Sequence, residues 1–401
     1  MNIAYLIPSC GITGGVAVAC QHTNRLLERG HEVSFICETL ETNLDWFPGQ
    51  KVEVLPMDKY PDNVDILVAT GWSTSFTAVE LPAKQKFYFV QSDETRFHEP
   101  DSIWQKLTAL SYNLNFNYLT EARWLQSWLA KNYGRDAALI PNGLDREIFY
   151  PDEPLAPKRE RPRILLEGGI DIPYKGMEDA FRVVEDLDAE VWCVSTIGQP
   201  KPEWHCDRFF GQVSMEKMRR IYSSCDILLK MSRVEGFFGP PLEMMACGGT
   251  VVVGKVTGYD EYIRDEYNAL VVEQGDLNKA RESITRIIND KKLKDMLVAN
   301  GLATVREWDW ESSITKLENL FDSLLKNNAG YQQSSIQNLS DQGIVLSYEM
   351  AKRLYINYNH LETSAFTEPV DRLFYRLRGS RVITAFANFI YKCHKFFKRA
   401  K

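Results

Sequence analysis

The feature that most constrains the fold is an alternation of apolar strands and amphipathic helices through the first 326 residues. Short apolar runs such as NIAYLIPS, HEVSFIC and DILVAT are separated by helical patterns, the first of them from Val16 to Arg29. Strands of this kind, alternating with helices, are typical of a parallel sheet covered on both faces. The pattern therefore predicts an α/β protein.

The alternation is interrupted once, by a segment that begins at Tyr150. This segment, YPDEPLAPKRERPR, combines four prolines with mixed charges, and it predicts an interdomain linker. Strand and helix patterns then restart at RILLEGG. We expect two Rossmann-like domains, residues 1–150 and 151–326, that face a cleft. The pattern WDWESSITKLENLF leaves open whether the last helix closes the second domain or crosses back to the first.

The C-terminal part differs in composition from the two domains. Residues 327–343 are polar and predict a flexible linker, and residues 344–401 predict a helical, basic extension. Residues 372–401 carry +9 while the whole chain carries −7, so the preceding residues carry −16. Aromatic and aliphatic residues among these basic ones favour a helix that lies on an anionic membrane surface. The alternative is a helix that packs one face on the body.

The cysteines bear on the compartment. The eight cysteines are scattered without a CxxC pair, mostly within apolar patterns, which indicates buried free thiols in a reduced compartment. The N-terminus MNIAYLIPS is typical of a strand rather than a signal peptide. We expect a cytoplasmic protein, peripheral on the inner membrane face.

Two carboxylates flank a tight loop in the stretch RVEGFFGPPLEMMACGGTVVVG, residues 233–254. Glu235 follows the strand DILLKMS, and Pro240 and Pro241 fit the start of a helix, where no intrahelical N–H is needed. Glu243 is then expected in the first helical turn.

Ligands of parallel sheets bind beyond the carboxyl ends of the strands, which is where this loop lies. Backbone N–H groups at the mouth of a helix bind anions, and carboxylates accept hydrogen bonds from hydroxyl groups. A ligand with phosphates and vicinal hydroxyls, a nucleotide sugar, would fit both. The alternative is that Glu243 only stabilises its own helix.

These residues resemble the signature of retaining glycosyltransferases of family 4, which have the GT-B fold. The resemblance rests on E-x7-E from Glu235 to Glu243 together with the following MMACGGTVVVG. Three further segments match in the expected order: GITGGVAVACQHTNRLLERGHEV, IPNGLD and YKG. The resemblance covers about residues 1–326.

The family pattern implies a role for each matching residue. Glu243 would hold the ribose hydroxyls of the donor, and Glu235 those of the transferred sugar. Lys175 would neutralise the diphosphate leaving group, with a plain surface lysine as the alternative. Gly14 and Gly15 would let the first-domain loop approach the phosphates, or would only form a tight turn that opens a helix.

The donor set also includes Arg233, Phe237 and Gly239 of the loop. The sequence departs from the family at Ile170, where an arginine that contacts the diphosphate is usual, and at Phe238, where glycine is common. Arg233 or another basic residue is the candidate to replace that arginine.

The acceptor side is assigned to FYFVQSDETRFHEP, residues 87–100, which follows a strand end of the first domain. It resembles a stretch of bacterial cell-surface polysaccharide glycosyltransferases of this family. Gln91, Asp93 and His98 are expected to face the acceptor or the reacting sugar, with a capped loop as the alternative. We expect the catalytic residues to be Glu235, Lys175 and His98.

Neither a metal nor a cofactor is expected beyond the donor as co-substrate. DLD, residues 186–188, lies at a helix-to-strand turn, away from the carboxyl ends of the strands, and the other histidines lack ligand spacing. GITGG is not G-x-G-x-x-G, which disfavours a nicotinamide-dependent dehydrogenase. Nothing in the sequence indicates a nucleic-acid partner.

The sequence thus predicts a retaining, metal-independent glycosyltransferase of the hexosyltransferase type. It would move a sugar from a nucleotide-sugar donor to a glycan or lipid-linked saccharide in cell-surface polysaccharide biosynthesis. The alternatives are a nucleotide-sugar epimerase or phosphorylase of similar fold, or a non-catalytic glycan- or nucleotide-binding scaffold. An epimerase would act without an acceptor, and a scaffold would bind without turnover.

Overall fold

The computed structural model describes residues 1–40, 42–157, 160–327 and 335–363, the last range with side chains between 337 and 354. By its internal contacts the chain divides into two units, Met1–Asp341 and Gln342–Lys401. The first unit holds two separate parallel sheets, which confirms the predicted α/β class.

The first domain is built on a sheet of seven parallel strands in the order β3-β2-β1-β4-β5-β6-β7. The strands are β1 (Asn2–Ile7), β2 (Glu32–Cys37), β3 (Glu53–Pro56), β4 (Ile66–Ala69), β5 (Gln85–Val90), β6 (Asn117–Thr120) and β7 (Ala137–Leu139). Strands β1, β4 and β5 are buried along almost their whole length, because helices cover both faces of the sheet.

Four helices connect these strands: α1 (Gly14–Glu28), α2 (Trp72–Glu80), α3 (Ile103–Ser111) and α4 (Arg123–Tyr133). Helix α1 begins with a side-chain cap, since Thr13 Oγ1 accepts a hydrogen bond from the Val16 N–H. Helix α4 ends at Gly134 in the left-handed conformation that favours glycine. Each connection returns the chain to the same edge of the sheet, so the polar segments that follow the strands lie together.

The second domain repeats this plan with six parallel strands in the order β10-β9-β8-β11-β12-β13. They are β8 (Arg163–Glu167), β9 (Glu190–Val194), β10 (Arg208–Phe210), β11 (Ile227–Lys230), β12 (Thr250–Gly254) and β13 (Leu270–Val272). The helices are α5 (Met177–Val184), α6 (Met215–Ser224), α7 (Gly239–Ala246), α8 (Leu277–Asn289) and α9 (Lys291–Val305).

Helix α10 (Trp310–Lys326) crosses back to the first domain, which decides between the two alternatives left open by the sequence. Its apolar face, with Trp310, Ile314, Leu317 and Phe321, is part of the first domain's core, and the Phe321 ring lies 4.9 Å from that of Phe87. The predicted second domain, residues 151–326, therefore ends in a helix that stabilises the first.

Helix α11 (Ser335–Thr363) spans the boundary between the two units. It includes residues 335–343, where the sequence predicts a flexible linker. The predicted membrane segment, residues 372–401, lies outside the described residues. Across the described ranges, no helix combines the length and apolar character that crossing a bilayer requires.

Candidate active site

The loop between β11 and α7 lies at the carboxyl edge of the second sheet and carries Glu235. Helix α7 begins at Gly239, followed at once by Pro240 and Pro241, as predicted. Because the helix begins at Gly239, Glu243 is its fifth residue, and the prediction that Glu243 lies in the first turn is wrong.

The mouth of α7 does not offer the backbone donors that we expected there. Pro240 and Pro241 have no N–H, and the Gly239 N–H is bonded to the carbonyl oxygen of Phe237 at 3.1 Å. Gly239, Pro240 and Pro241 therefore leave no backbone donor for an anion at the helix mouth.

A positive charge near this loop comes from Lys175, whose Nζ donates to both carboxylate oxygens of Glu235, at 3.0 and 2.9 Å. Glu235 is 8% exposed, and a quarter of the lysine side chain reaches solvent. Gly176 makes this approach possible: its φ is +64°, and a Cβ there would lie 2.0 Å from the carbonyl oxygen of Met231. The two residues, far apart in sequence, thus form one charged pair facing the cleft.

A second group of charged side chains lies beside this pair, beneath α7. The Tyr222 hydroxyl donates to Glu243 Oε2 at 2.9 Å. The buried Lys230 Nζ donates to Glu167 Oε2 at 2.5 Å and to its carbonyl oxygen at 2.9 Å. Burial, with a smaller contribution from the charge of Glu167, raises the pKa of Glu243 to about 7.

Sequence reasoning missed Glu167 and Lys230. The sequence contained a signal for both residues. Lys230 interrupts the apolar strand DILLKMS, and Glu167 directly follows the apolar residues of RILLEGG. Lys230 is only 2% exposed, and a lysine buried so deeply needs a charged partner. The carboxylate of Glu167, at the end of the neighbouring strand β8, provides one.

The remaining loop residues have other contacts. Arg233 pairs with Asp179 of α5 at 2.7 Å, and the guanidinium is half exposed. The Phe237 ring packs against Trp308 and Tyr262, at centroid distances of 5.3 and 5.7 Å. Gly239 leaves open space, because a Cβ there would have only Glu243 Oε1 nearby, at 3.9 Å.

In the first domain, the two predicted glycines open helix α1 at the carboxyl end of β1. A Cβ on Gly15 would lie 3.1 Å from Gln91 Nε2, whereas one on Gly14 would meet nothing within 4 Å. The structure thus brings Gly15 and Gln91, assigned to the donor and acceptor sides, into contact.

The acceptor-side residues differ in how they are held. Gln91 Nε2 donates to the carbonyl oxygen of Thr70 at 3.1 Å. Asp93 caps a short 3-10 turn, Glu94–Phe97, by accepting from the Thr95 N–H at 3.2 Å, which is the geometry of the capped-loop alternative.

His98 lies edge-on to the Trp72 ring, with the centroids 5.3 Å apart, and burial lowers its pKa. Its Nε2 is buried, and within the described part of the chain it has no hydrogen-bond partner. The imidazole is therefore neutral near pH 7, with one polar atom left for a ligand.

The cleft is bridged by direct contacts between the two domains. The Trp124 Nε1–H donates to the carbonyl oxygen of Gly236 at 2.8 Å, and Arg96 Nη2 donates to that of Arg233 at 2.8 Å. The Phe97 and Tyr174 rings stack with their centroids 5.4 Å apart. The loop that carries Glu235 therefore contacts first-domain residues that sequence reasoning did not assign.

The DLD segment is an exposed turn between α5 and β9. Asp188 pairs with Arg161 at 3.0 Å, and the Asp186 side chain is 81% exposed near Arg281. In the described ranges, no group of three or more His, Cys, Asp and Glu side chains is arranged to hold a metal ion.

Residues 206–304 match the family described as Glycosyl transferases group 1, which places Glu235, Glu243 and α7 inside the matched segment. An uncharacterized glycosyltransferase of Methanocaldococcus jannaschii is 25% identical over 214 residues, 51% of this chain and 58% of the relative. The O-antigen chain mannosyltransferase B of Escherichia coli is 28% identical over 168 residues, 41% of this chain and 39% of the relative. These matches span about half the length of the relatives.

Solved structures share the fold across both domains. Sucrose-phosphate synthase from Thermosynechococcus elongatus superimposes with a TM-score of 0.67 at 16% identity, over 82% of this chain and all of that one. HepE from Anabaena, solved with UDP and glucose, gives a TM-score of 0.67 at 13% identity, over 81% of this chain and all of that one. The chain therefore has the GT-B fold, and its residues 206–304 match a family of glycosyltransferases.

Proposed function

We propose that this chain transfers a sugar from a nucleotide-sugar donor to a glycan or lipid-linked saccharide acceptor in cell-surface polysaccharide biosynthesis. The observation that carries the proposal is the Lys175–Glu235 pair in the cleft, within reach of both domains. A lysine and a carboxylate side by side match the two chemistries of the donor, its diphosphate and its sugar hydroxyls. The O-antigen mannosyltransferase among the relatives supports the class of acceptor.

The donor binds to the second domain in this proposal. Glu243 accepts from the ribose hydroxyls, and Glu235 from hydroxyls of the transferred sugar. HepE, which has the same fold, was solved with UDP and glucose, which supports a nucleotide-sugar donor for this chain. Because Tyr222 already donates to one oxygen of Glu243, the other oxygen is available to the ribose.

Lys175 stabilises the leaving group. As the sugar–phosphate bond breaks, negative charge grows on the diphosphate, and a fixed cation in a partly buried cleft stabilises it. In the absence of donor, Glu235 neutralises Lys175. When the donor binds, its phosphate forms the ion pair with Lys175, and Glu235 accepts hydrogen bonds from the sugar hydroxyls. With the donors at the mouth of α7 absent or used, we assign Lys175 the main electrostatic role. Lys230 is bonded to Glu167, and Arg233 to Asp179.

We propose that transfer retains the anomeric configuration and needs no metal ion. The acceptor attacks from the face that the diphosphate leaves, and the departing phosphate takes the acceptor proton. The anomeric configuration of the product, assigned by NMR, tests retention, since an inverted product contradicts it. Turnover that is lost in EDTA and restored by a divalent ion would contradict metal independence.

A thermal-shift titration with UDP, GDP, dTDP and ADP tests the donor site. One nucleotide is expected to raise the Tm of the wild-type protein, and Glu243→Ala is expected to abolish that shift. The matched control is Glu318→Ala, a carboxylate that joins α10 to α1 at the other end of the first sheet. If none of the four nucleotides stabilises the protein, the donor site is not where we place it.

A further inference from the structure

The loop that carries Glu235 packs with its backbone directly on the first domain. A Cβ on Gly236 would lie 1.7 Å from the carbonyl oxygen of Gln91 and 3.1 Å from Glu121 Oε1. Only glycine fits this contact. The position of Glu235 is therefore set by residues of the first domain as well as by its own.

Glu121 is the side chain that holds the loop across this seam. It follows β6 directly, is 5% exposed, accepts from Asn142 Nδ2 at 2.8 Å, and places Oε1 against Gly236 of the loop. Asn142 belongs to the first domain and Gly236 to the second. The buried carboxyl group is thus hydrogen-bonded to one domain and packed on the other.

The charges around Glu121 explain why a carboxyl group is tolerated there. In the second domain, the nearby carboxylate of Glu235 is paired with Lys175. In the first domain, Arg123 is paired with Glu261, 3.3 Å away. Burial, and to a smaller extent the negative charge of Glu235, raises the pKa of Glu121 to about 8. Near pH 7 the group is neutral, so it can lie close to Glu235 without repelling it.

We propose that Glu121 is a positioning residue for sugar transfer, which fixes Glu235 against the acceptor domain through its contact with Gly236. Glu121 does not contact the donor; it acts through the residue that follows Glu235. The inference rests on the proposed function for its catalytic consequence, but the contact itself can be tested without turnover.

Hydrogen–deuterium exchange on the full chain tests the contact. In Glu121→Ala, the peptide that covers residues 233–238 is expected to exchange at least about tenfold faster than in the wild type, because the loop loses the side chain on which its backbone packs. Glu121→Gln keeps the length of the side chain and an acceptor for Asn142, and is expected to exchange like the wild type. Glu318→Gln is the control. Unchanged exchange in Glu121→Ala overturns the proposal; should that variant fail to fold, Glu121→Asp, which draws the acceptor back by one methylene, is judged by the same criterion.

Kinetics test the consequence for catalysis. Glu121→Ala is expected to lower kcat by about 10²-fold, the typical effect of displacing a reacting group by about 1 Å, while the Kd of the nucleoside diphosphate stays unchanged. Glu121→Gln should restore kcat and remove the loss of activity that ionisation of Glu121 causes above pH 8 in the wild type. Equal kcat values in the alanine and glutamine variants contradict the proposal. If the wild type shows no transfer at all, the proposed function fails, and the exchange result still decides whether Glu121 holds the loop.

Discussion

At the scale of single residues, the cleft combines two carboxylates with opposite surroundings. Glu235 has Lys175 at 2.9 Å, whereas Glu243 is buried beside a tyrosine hydroxyl and the carboxylate of Glu167. Burial disfavours the charged form of Glu243 and raises its pKa to about 7. The two glutamates of one motif thus lie in different surroundings.

The pH dependence of nucleotide binding follows from the pKa of Glu243, about 7. Below pH 7 the group is protonated and accepts hydrogen bonds from ribose hydroxyls poorly; above pH 7 it is ionised and accepts them well. Affinity for the preferred nucleoside diphosphate is therefore expected to fall as the pH is lowered through 7. Calorimetric titration between pH 6 and pH 8 measures it.

Glu243→Gln is the matched control for that profile, since glutamine does not titrate. The phosphates titrate equally in both proteins, so the difference between the two profiles isolates Glu243. Parallel profiles for wild type and variant would show that Glu243 does not contribute to the pH dependence.

The sequence predicted several of the cleft residues but not all of them. Glu235, Lys175 and Gln91 follow buried strands, a position that indicates a site in parallel sheets. Glu121 also follows a strand, yet its role depends on a contact with Gly236 in the other domain. No local pattern reports a contact between such distant segments, so that residue required the structure.

At the scale of elements, strands and helices follow from their hydrophobic periods, while their ends depend on tertiary contacts. The prolines predicted the start of α7 correctly, but they did not indicate which acceptors the N–H groups at that end of the helix would bond. The Gly239 N–H donates to the carbonyl oxygen of Phe237 within the loop, and the two prolines that follow have no N–H. The backbone donors expected for an anion at the helix mouth are therefore absent or already bonded at these three residues.

Helix α10 shows the same limit. Its apolar face fits the covering layer of either sheet, so amphipathicity alone left its destination open. Gly143 decides the matter, because a Cβ there would lie 2.3 Å from the backbone nitrogen of Trp310. Close packing between IPNGLD and the start of α10, together with the apolar face of the helix in the first core, places it on the first domain.

Phe321→Ala tests the place of α10 in the first core. Phe321 is fully buried against Phe87, so its truncation is expected to lower the free energy of unfolding by about 3–5 kcal/mol. Urea denaturation followed by tryptophan fluorescence measures the change. The exposed Lys316→Ala on the same helix should change stability by less than about 0.5 kcal/mol. A similar small effect at Phe321 would show that α10 does not belong to this core.

At the scale of the whole molecule, the first unit holds both sheets, and the second begins within α11. Along the described part of α11, Leu346, Met350 and Leu354 are each more than half exposed. Residues 372–401 add nine basic side chains and no acidic one. The exposed apolar side chains of α11 and the basic composition of residues 372–401 are the grounds for the prediction that this region binds an anionic membrane.

Deletion of 372–401 is expected to release the protein from anionic liposomes and to leave nucleotide binding intact. Each lysine or arginine near such a surface contributes about 1 kcal/mol, an attraction that salt weakens. Co-sedimentation with vesicles of anionic lipid, at low and high salt, measures it, with neutral vesicles as the control. Undiminished binding by the truncated protein would contradict the proposal.

Sugar transfer itself is the central claim, and mass spectrometry of acceptor products tests it most directly. Membrane extract is incubated with a panel of nucleotide sugars and either the wild type, Lys175→Ala or Lys201→Ala, an exposed lysine that packs on the Trp204 ring. We expect one donor to yield a product heavier by one sugar residue, with a rate about 10²–10³-fold lower in Lys175→Ala and unchanged in Lys201→Ala. Equal rates for Lys175→Ala and the wild type, or release of free sugar without any extended acceptor, would contradict the account.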